Sequence, residues 1–424
     1  MTEQPVAGLP PAFSRRHALC CGAAAVAGLF TSLGLAADGD GTPPAGWSNP
    51  CRGALPERLA RHELVHAAFD GIDAHSLWDV HAHLLGTGDS GSGCSVHPSM
   101  NSWWHPVEVL RRRAILNAAC VAGDAPSIDR AYVERLAALT RDFPVGARWL
   151  LFAFDHAHDD DGHVAPEHST FHVPDLYAAQ VAAAQPDRFA WVASVHPYAE
   201  DALARLERAV AAGAKAIKWL PSAMNIDPRS PRCRPFYDRM AALRVPLIAH
   251  CGEEMAVPGA GQDAFGNPLR MRTPLEAGVR VIVAHCASLG RAVDTDRPSA
   301  PKVPAFDLFA RLMDERAHEP LLLGDLSAVF QINRRAAVQK RLVERGDWHP
   351  RLLHGSDYPL PGLVPLTRPQ RLADHGLLDA KAVPVLESIR AHNPLLFDFV
   401  LKRSVAVGAA KLATGIFETR RHFG

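Results

Sequence analysis

Leu77-Trp78-Asp79-Val80-His81-Ala82-His83 is an apolar run that closes on two histidines two residues apart. Its length and composition predict a buried strand. Residues i and i+2 of a strand share a face, so His81 and His83 point the same way and can grip one ion. Seven further runs have the same character, at 148–155, 189–196, 214–220, 246–250, 279–285, 321–326 and 352–357. They are continuous apolar stretches rather than polar/apolar alternations, as expected of strands covered by helices. Amphipathic segments lie between them. One is 199–212, with Leu203, Leu206 and Val210 at helical spacing; another is 306–317. Eight strand–helix units in one unbroken array predict an α/β fold of the (β/α)8 TIM-barrel type. An open doubly wound sheet is the runner-up.

In a barrel of this kind, chemistry sits at the C-terminal ends of the strands. The first strand ends on His81 and His83, the fifth on His250 and the sixth on His285. The eighth runs into His354-Gly355-Ser356-Asp357-Tyr358-Pro359, and the fourth carries Lys218. Nitrogen and carboxylate ligands around an open position suit a hydrolytic Zn2+ or a similar divalent metal.

This ordered set resembles the amidohydrolase superfamily, and within it the amidohydrolase-2 type. Gly355-Ser356-Asp357-Tyr358-Pro359 is similar to that type's strand-eight signature. Pro186-Asp187-Arg188-Phe189 and Gly213-Ala214-Lys215-Ala216-Ile217-Lys218 are similar to its characteristic stretches. So is His392-Asn393-Pro394-Leu395-Leu396-Phe397, with Pro394 where the family more often has Ala. The resemblance covers 77–397. It implies His81, His83, His250 and Asp357 as metal ligands, and His285 as a second ligand or a catalytic group that polarises the substrate. It implies Asp357 as the group that moves the proton of a metal-activated water. Lys218 stands where binuclear members of the superfamily carry a carboxylated lysine between two metals. The implied cofactor is a divalent metal, with zinc expected: one ion, or two bridged by Lys218. The implied activity is hydrolysis at an ester, lactone or amide carbon. A metal-dependent decarboxylase of an aromatic or unsaturated acid is the alternative on the same ligands. A non-catalytic exported binding protein is a third, and the intact ligand set argues against it.

Other motifs compete for attention. His62-Glu63-Leu64-Val65-His66 is a literal HExxH, but no Glu follows from Leu64 through Val107, so a solvated helix is expected. Gly86-Thr87-Gly88-Asp89-Ser90-Gly91 fits GxGxxG after a strand, yet no helix pattern follows, and a mobile loop at the barrel mouth is expected instead of a dinucleotide site. The stretch Asp155-His156-Ala157-His158-Asp159-Asp160-Asp161-Gly162-His163 is expected to be a solvated loop, with an extra ion or a substrate contact as the alternative. Trp103-Trp104 suits either a pocket wall or helix packing. Cys251 and Cys286 follow ligand positions, so strand parity turns them toward the outer helices as buried thiols.

The 424 residues balance 45 Lys and Arg against 45 Asp and Glu, so no global field favours nucleic acid or an anionic membrane. A small-molecule substrate is the expected partner. Eight Cys are too few for a disulfide scaffold, although Cys51 and Cys94 could pair in an oxidising compartment. Ser14-Arg15-Arg16-His17-Ala18-Leu19 carries a twin arginine before an uncharged run, and Gly34-Leu35-Ala36 offers a cleavage site. Residues 1–37 are therefore expected to be a signal peptide directing export to the periplasm, with no stable membrane insertion of the mature chain. Residues 38–70 are expected as a short linker and N-terminal helix, 71–405 as the barrel and 406–424 as a C-terminal tail.

Overall fold

The computed structural model describes residues 48–257 and 259–423. The expected signal peptide lies outside the described residues. Each of the eight expected apolar runs carries a strand: β1 Trp78–His83, β2 Arg148–Phe152, β3 Phe189–Val192, β4 Ile217–Trp219, β5 Leu247–His250, β6 Val281–Ala284, β7 Leu322–Asp325 and β8 Leu352–Leu353. All their pairings are parallel. β1, β2 and β3 form one sheet in that order, and β4 to β8 form a second, also in chain order. Parallel bridges link the outer strands at both margins, Ala193 to Ile217 and Ala82 to Tyr358.

Helices fill the connections, as parallel pairing requires. They include α1 Glu63–Phe69, α2 Pro106–Ala118, α3 Ile128–Thr140, α4 Asp175–Ala184, α5 Ala202–Ala211, α6 Arg234–Leu243, α7 Arg272–Glu276, α8 Ala305–Asp314, α9 Ala336–Glu344, α10 Val383–His392 and α11 Pro394–Ser404. The stretch expected as a helix over 199–212 is α5, which buries Leu206 and leaves Leu203 exposed; the one over 306–317 is α8. Strand parity divides the core in two. Val80, Phe152, Val192, Ile248, Ile282, Leu323 and Leu353 meet in an inner apolar cluster. Leu151, Trp219, Leu247, Val281, Val283, Leu322 and Leu352 belong to the larger cluster shared with the helices. Cys251 and Cys286 are both buried in that outer cluster, as expected, Cys251 by strand parity and Cys286 through the left-handed turn that ends β6.

The C-terminal segment is not a loose tail. Phe423 joins the inner cluster against Trp78, and Thr419 Oγ1 donates to the Trp78 carbonyl at 2.7 Å. Cys51 is bonded to Cys120 rather than to Cys94, which is buried and free. Asn49 and Asn117 exchange two hydrogen bonds beside that disulfide, which places Cys51 at the end of α2 and away from Cys94.

The glycine-rich loop after β1 is tied down rather than mobile. The buried carboxylate of Asp129 accepts hydrogen bonds from the backbone of Thr87, Gly88 and Ser90 and from the hydroxyls of Ser90 and Ser92. Asp89 in turn accepts from the Ile128 and Asp129 amides at the start of α3. The loop and the helix N-terminus thus satisfy each other's unpaired donors. His62 caps α1, Glu63 starts it and His66 is exposed, so the HExxH stretch is a solvated helix.

Candidate metal centre

Two backbone irregularities bring the site together. On β1 the pairing register shifts between Asp79 and Ala82. Val80 points into the inner cluster, yet the next residue, His81, also faces inward, with His83. A bulge is the standard way to re-aim a side chain in a strand. At the end of β6, parity alone would send His285 outward with Val281 and Val283. Its φ of +56° lies in the left-handed region, as do those of Cys286 and Ala287, and the turn swings the imidazole inward. Asp357 has φ +62°. Left-handed non-glycine residues are costly and cluster where a side chain must be presented in one direction. Gly355 is required beside them, because a Cβ there would sit 2.7 Å from that of His81.

His81, His285 and Asp357 are buried, and their ligand atoms lie within 4.8 Å of one another. The proton positions follow from the partners. His81 Nδ1 donates to Asp325 Oδ2 at 2.9 Å, and His285 Nδ1 donates to the Ser327 carbonyl at 3.0 Å. Both rings therefore turn an unprotonated Nε2 toward the cavity. The Nε2 of His81 has no hydrogen-bond partner and stands 3.3 Å from Asp357 Oδ1. A buried lone pair facing a carboxylate oxygen is repulsive unless a cation lies between them. The donor set thus fits a divalent ion held by His81, His285 and Asp357.

Burial holds both histidines neutral. It lowers the His81 pKa to about 4, helped by the Lys218 charge, and puts that of His285 well below its ordinary value. Burial works to raise the Asp357 pKa, but the His285 ring and the hydrogen bond with His83 outweigh it, so the carboxyl is held well below the usual range. Two further carboxylates fix the geometry from behind. Asp325 Oδ1 accepts from the His285 and Ser327 amides. Asp79 Oδ1 accepts from the His81 and Ser356 amides, tying the first ligand strand to the eighth. Beneath them the buried Lys402 ammonium donates to the Gly355 carbonyl and to Asp398, each at 2.6 Å.

The other expected residues lie around this trio. His83 Nε2 is 3.2 Å from Asp357 Oδ1. His250 is turned to its own loop, with Nδ1 3.2 Å from Glu254 Oε2 and Nε2 3.4 Å from the Glu253 carbonyl. Its ring centroid lies 5.1 Å from that of His285. Lys218 is buried, faces the same cavity and lies 5.0 Å above the Phe152 ring. Burial lowers its pKa. Lys215 opens at the opposite end of the strands, beside Trp78 and Phe423.

The cavity over these groups measures about 170 Å3. Ile115 and Ala114 of α2, Leu220, Leu289 and Leu363 give it apolar walls, while Glu254, Gln331, Asn333 and Arg334 are polar. Asp325, Glu254 and Arg334 are absent from the residues expected from sequence. For Asp325 a signal existed: it is an acid inside an apolar run, two residues after Leu323, which faces inward. The histidine-rich loop is only partly solvated. Asp155 is buried and pairs with Arg205, and His158 stacks on His196, whereas Asp159, Asp161 and His163 converge at the surface. Trp103 and Trp104 stack on each other with more than two thirds of each exposed, serving neither as pocket wall nor as helix packing.

A family model described as amidohydrolase matches residues 78–395. No curated protein is similar enough to match. Among solved structures, an uncharacterised TIM-barrel protein from Bordetella bronchiseptica is 16% identical, covering 67% of this chain and 86% of its own, with a TM-score of 0.46. A 2,6-dihydroxybenzoate decarboxylase from Rhizobium is 14% identical, with 76% and 98% covered and a TM-score of 0.40. A 4-oxalomesaconate hydratase from Rhodopseudomonas palustris is 13% identical, with 75% and 96% covered and a TM-score of 0.40.

Proposed function

The chain belongs to the amidohydrolase family of metal-dependent enzymes, and from that premise we propose that it hydrolyses an ester, lactone or amide carbon of a small molecule. The observation that carries the proposal is the unpartnered His81 Nε2, facing Asp357 beside His285 under a small cavity. A divalent ion, when bound, supplies Lewis acidity that polarises oxygen and acidifies water. We assign its ligands as His81, His285 and Asp357, with His83 in reach through Asp357. His250 joins them if its ring leaves Glu254. The hydrogen bond from His285 Nδ1 to the Ser327 carbonyl favours a ligand role for that ring over proton donation to the substrate.

The chain's own work is then positioning and proton movement. The apolar walls exclude bulk water and strengthen every charge interaction inside the cavity. Asp357, ionised and fixed by its turn, takes the proton of the attacking water and returns it to the leaving oxygen or nitrogen. Asp325 and Asp79 hold the His81 ring and backbone so that the carboxylate and both Nε2 atoms converge.

We take the two parallel sheets as one closed (β/α)8 barrel, on the support of the bridges at both margins, and residues 71–405 as the catalytic unit. We also propose that residues 1–37 direct export. The Cys51–Cys120 disulfide supports this, because such bonds persist in oxidising compartments such as the periplasm. Among the described residues no helix is long and apolar enough to cross a membrane.

The test is a panel of esters, lactones and amides offered to protein loaded with Zn2+ or Mn2+. Hydrolysis that is lost on chelation and in His81→Ala is expected. Activity that survives both, or carbon dioxide release from hydroxybenzoates in place of hydrolysis, overturns the proposal; the latter outcome makes the chain a decarboxylase.

A further inference from the structure

Arg334 lies nine residues after Asp325, on the loop that leaves β7, and is 6% exposed. Its Nε donates to Ser288 Oγ at 2.9 Å, and its backbone amide bonds to the Gln331 carbonyl. Its Nη1 is buried with no partner, and among the described residues no carboxylate pairs with the guanidinium. Elsewhere in the chain arginines find acids: Arg272, Arg311 and Arg345 each bind two carboxylates. A buried guanidinium without a counter-ion is costly. Burial lowers its pKa only to about 10, opposed by Asp357, Glu254 and Glu253, so the charge persists at neutral pH.

The guanidinium, without a direct ion pair, lines the same cavity as His81 and Asp357. Ser288 closes the turn that swings His285 inward, so Arg334 is anchored to the element that presents a ligand. Beside it Asn333, also lining the cavity, has a buried side-chain oxygen with no partner. Rotating that amide by half a turn presents its NH2 instead. The apolar lining of the cavity includes Ile115, Leu220, Leu289 and Leu363.

We propose that Arg334, with Asn333, holds a carboxylate of the substrate, and that the enzyme selects small molecules with an apolar body and one acidic group. The proposal rests on the cavity being the substrate site but not on which bond is broken there. A carboxylate supplies two planar oxygens to the guanidinium edge and gives it a direct ion pair, whereas a neutral amide of the same shape leaves it without one. The acidic group sits at Arg334, and the apolar body lies against the cavity's apolar lining.

The experiment compares binding of phenylacetate and phenylacetamide by calorimetry, on metal-loaded protein and on protein stripped by chelation. A carboxylate can also bind a metal, and the stripped protein separates the two causes. Wild type is expected to prefer phenylacetate by about 10- to 100-fold in both forms, the range of a charge-assisted hydrogen bond. Arg334→Met is expected to lose the preference in the stripped form, and Arg334→Lys to keep part of it. Equal binding or no binding of the two by wild type, a preference that vanishes on stripping, or one that survives in Arg334→Met overturns the proposal. Wild type alone decides the first three, so a variant that fails to fold does not block the test. Failure of the hydrolase proposal reads differently: no ester or amide is cleaved while the binding preference stands.

Discussion

His81 Nδ1 lies 2.9 Å from Asp325 Oδ2, and neither side chain is exposed. The acid that fixes the tautomer of the first ligand comes from 244 residues further along the chain. Asp325 bonds through its other oxygen to the amide of His285, so one carboxylate orients two ligands. Burial works to raise its pKa, but the His81 ring outweighs this and holds the carboxyl below its ordinary value. Asp325→Asn removes the charge and keeps the shape. Metal affinity is expected to fall about 10- to 100-fold, as for other outer partners of ligating histidines. Competition against a chromophoric chelator measures it, and an unchanged affinity refutes the role.

Lys218 has the position of a bridging lysine but pairs with no carboxylate among the described residues; its ammonium sits over Phe152. The buried ligand trio in this cavity is His81, His285 and Asp357, and Lys218 remains an ammonium against an aromatic face. One ion per chain is therefore expected, in wild type loaded in bicarbonate and in Lys218→Met alike. Two ions in wild type, falling to one or none in the variant, would show a carbamylated bridge.

The Cys51–Cys120 bond spans 69 residues and fastens the segment before α1 to the end of α2, whose other turns wall the cavity. Chain-entropy reasoning gives such a loop about 4 kcal/mol of stabilisation. Urea unfolding with and without a thiol reductant is expected to show a loss of that order, and Cys51→Ser/Cys120→Ser should remove the reductant's effect. Identical midpoints with and without reductant would count against a formed bond.

Acid is expected to destabilise the fold through the stacked histidines beyond β2 and β3. Burial lowers the His172 pKa to about 4, assisted by the stacked His156, and that of His196 to about 3, assisted by the stacked His158. In the unfolded chain both titrate near 6.5. Between these values the unfolded state binds more protons, so stability is full above pH 6.5 and declines as the pH falls toward 3. Denaturant titrations at pH 7.5 and 5 measure the slope, and His172→Gln should reduce it. A slope untouched by that variant would place the acid sensitivity elsewhere.

The array of eight strands was legible because it rests on local composition: each continuous apolar run marks its own strand, and all eight are where the runs lie. The positions of His81, His285 and Asp357 at strand ends were legible for the same reason. What was not legible depends on how the backbone turns and on which side chains meet. The bulge in β1 and the left-handed turn at His285 override simple parity and decide which residues face inward. The company His250 keeps depends on a glutamate four residues away that folds back onto it. Asp325 reads as one acid in an apolar strand until the sheet sets it against His81. Cys51 meets Cys120 and not Cys94 because Asn49 and Asn117 align the two segments. Periodicity along a chain records burial, which each residue carries by itself. Which buried groups meet is a property of pairs, and only the tertiary structure brings those pairs within bonding distance.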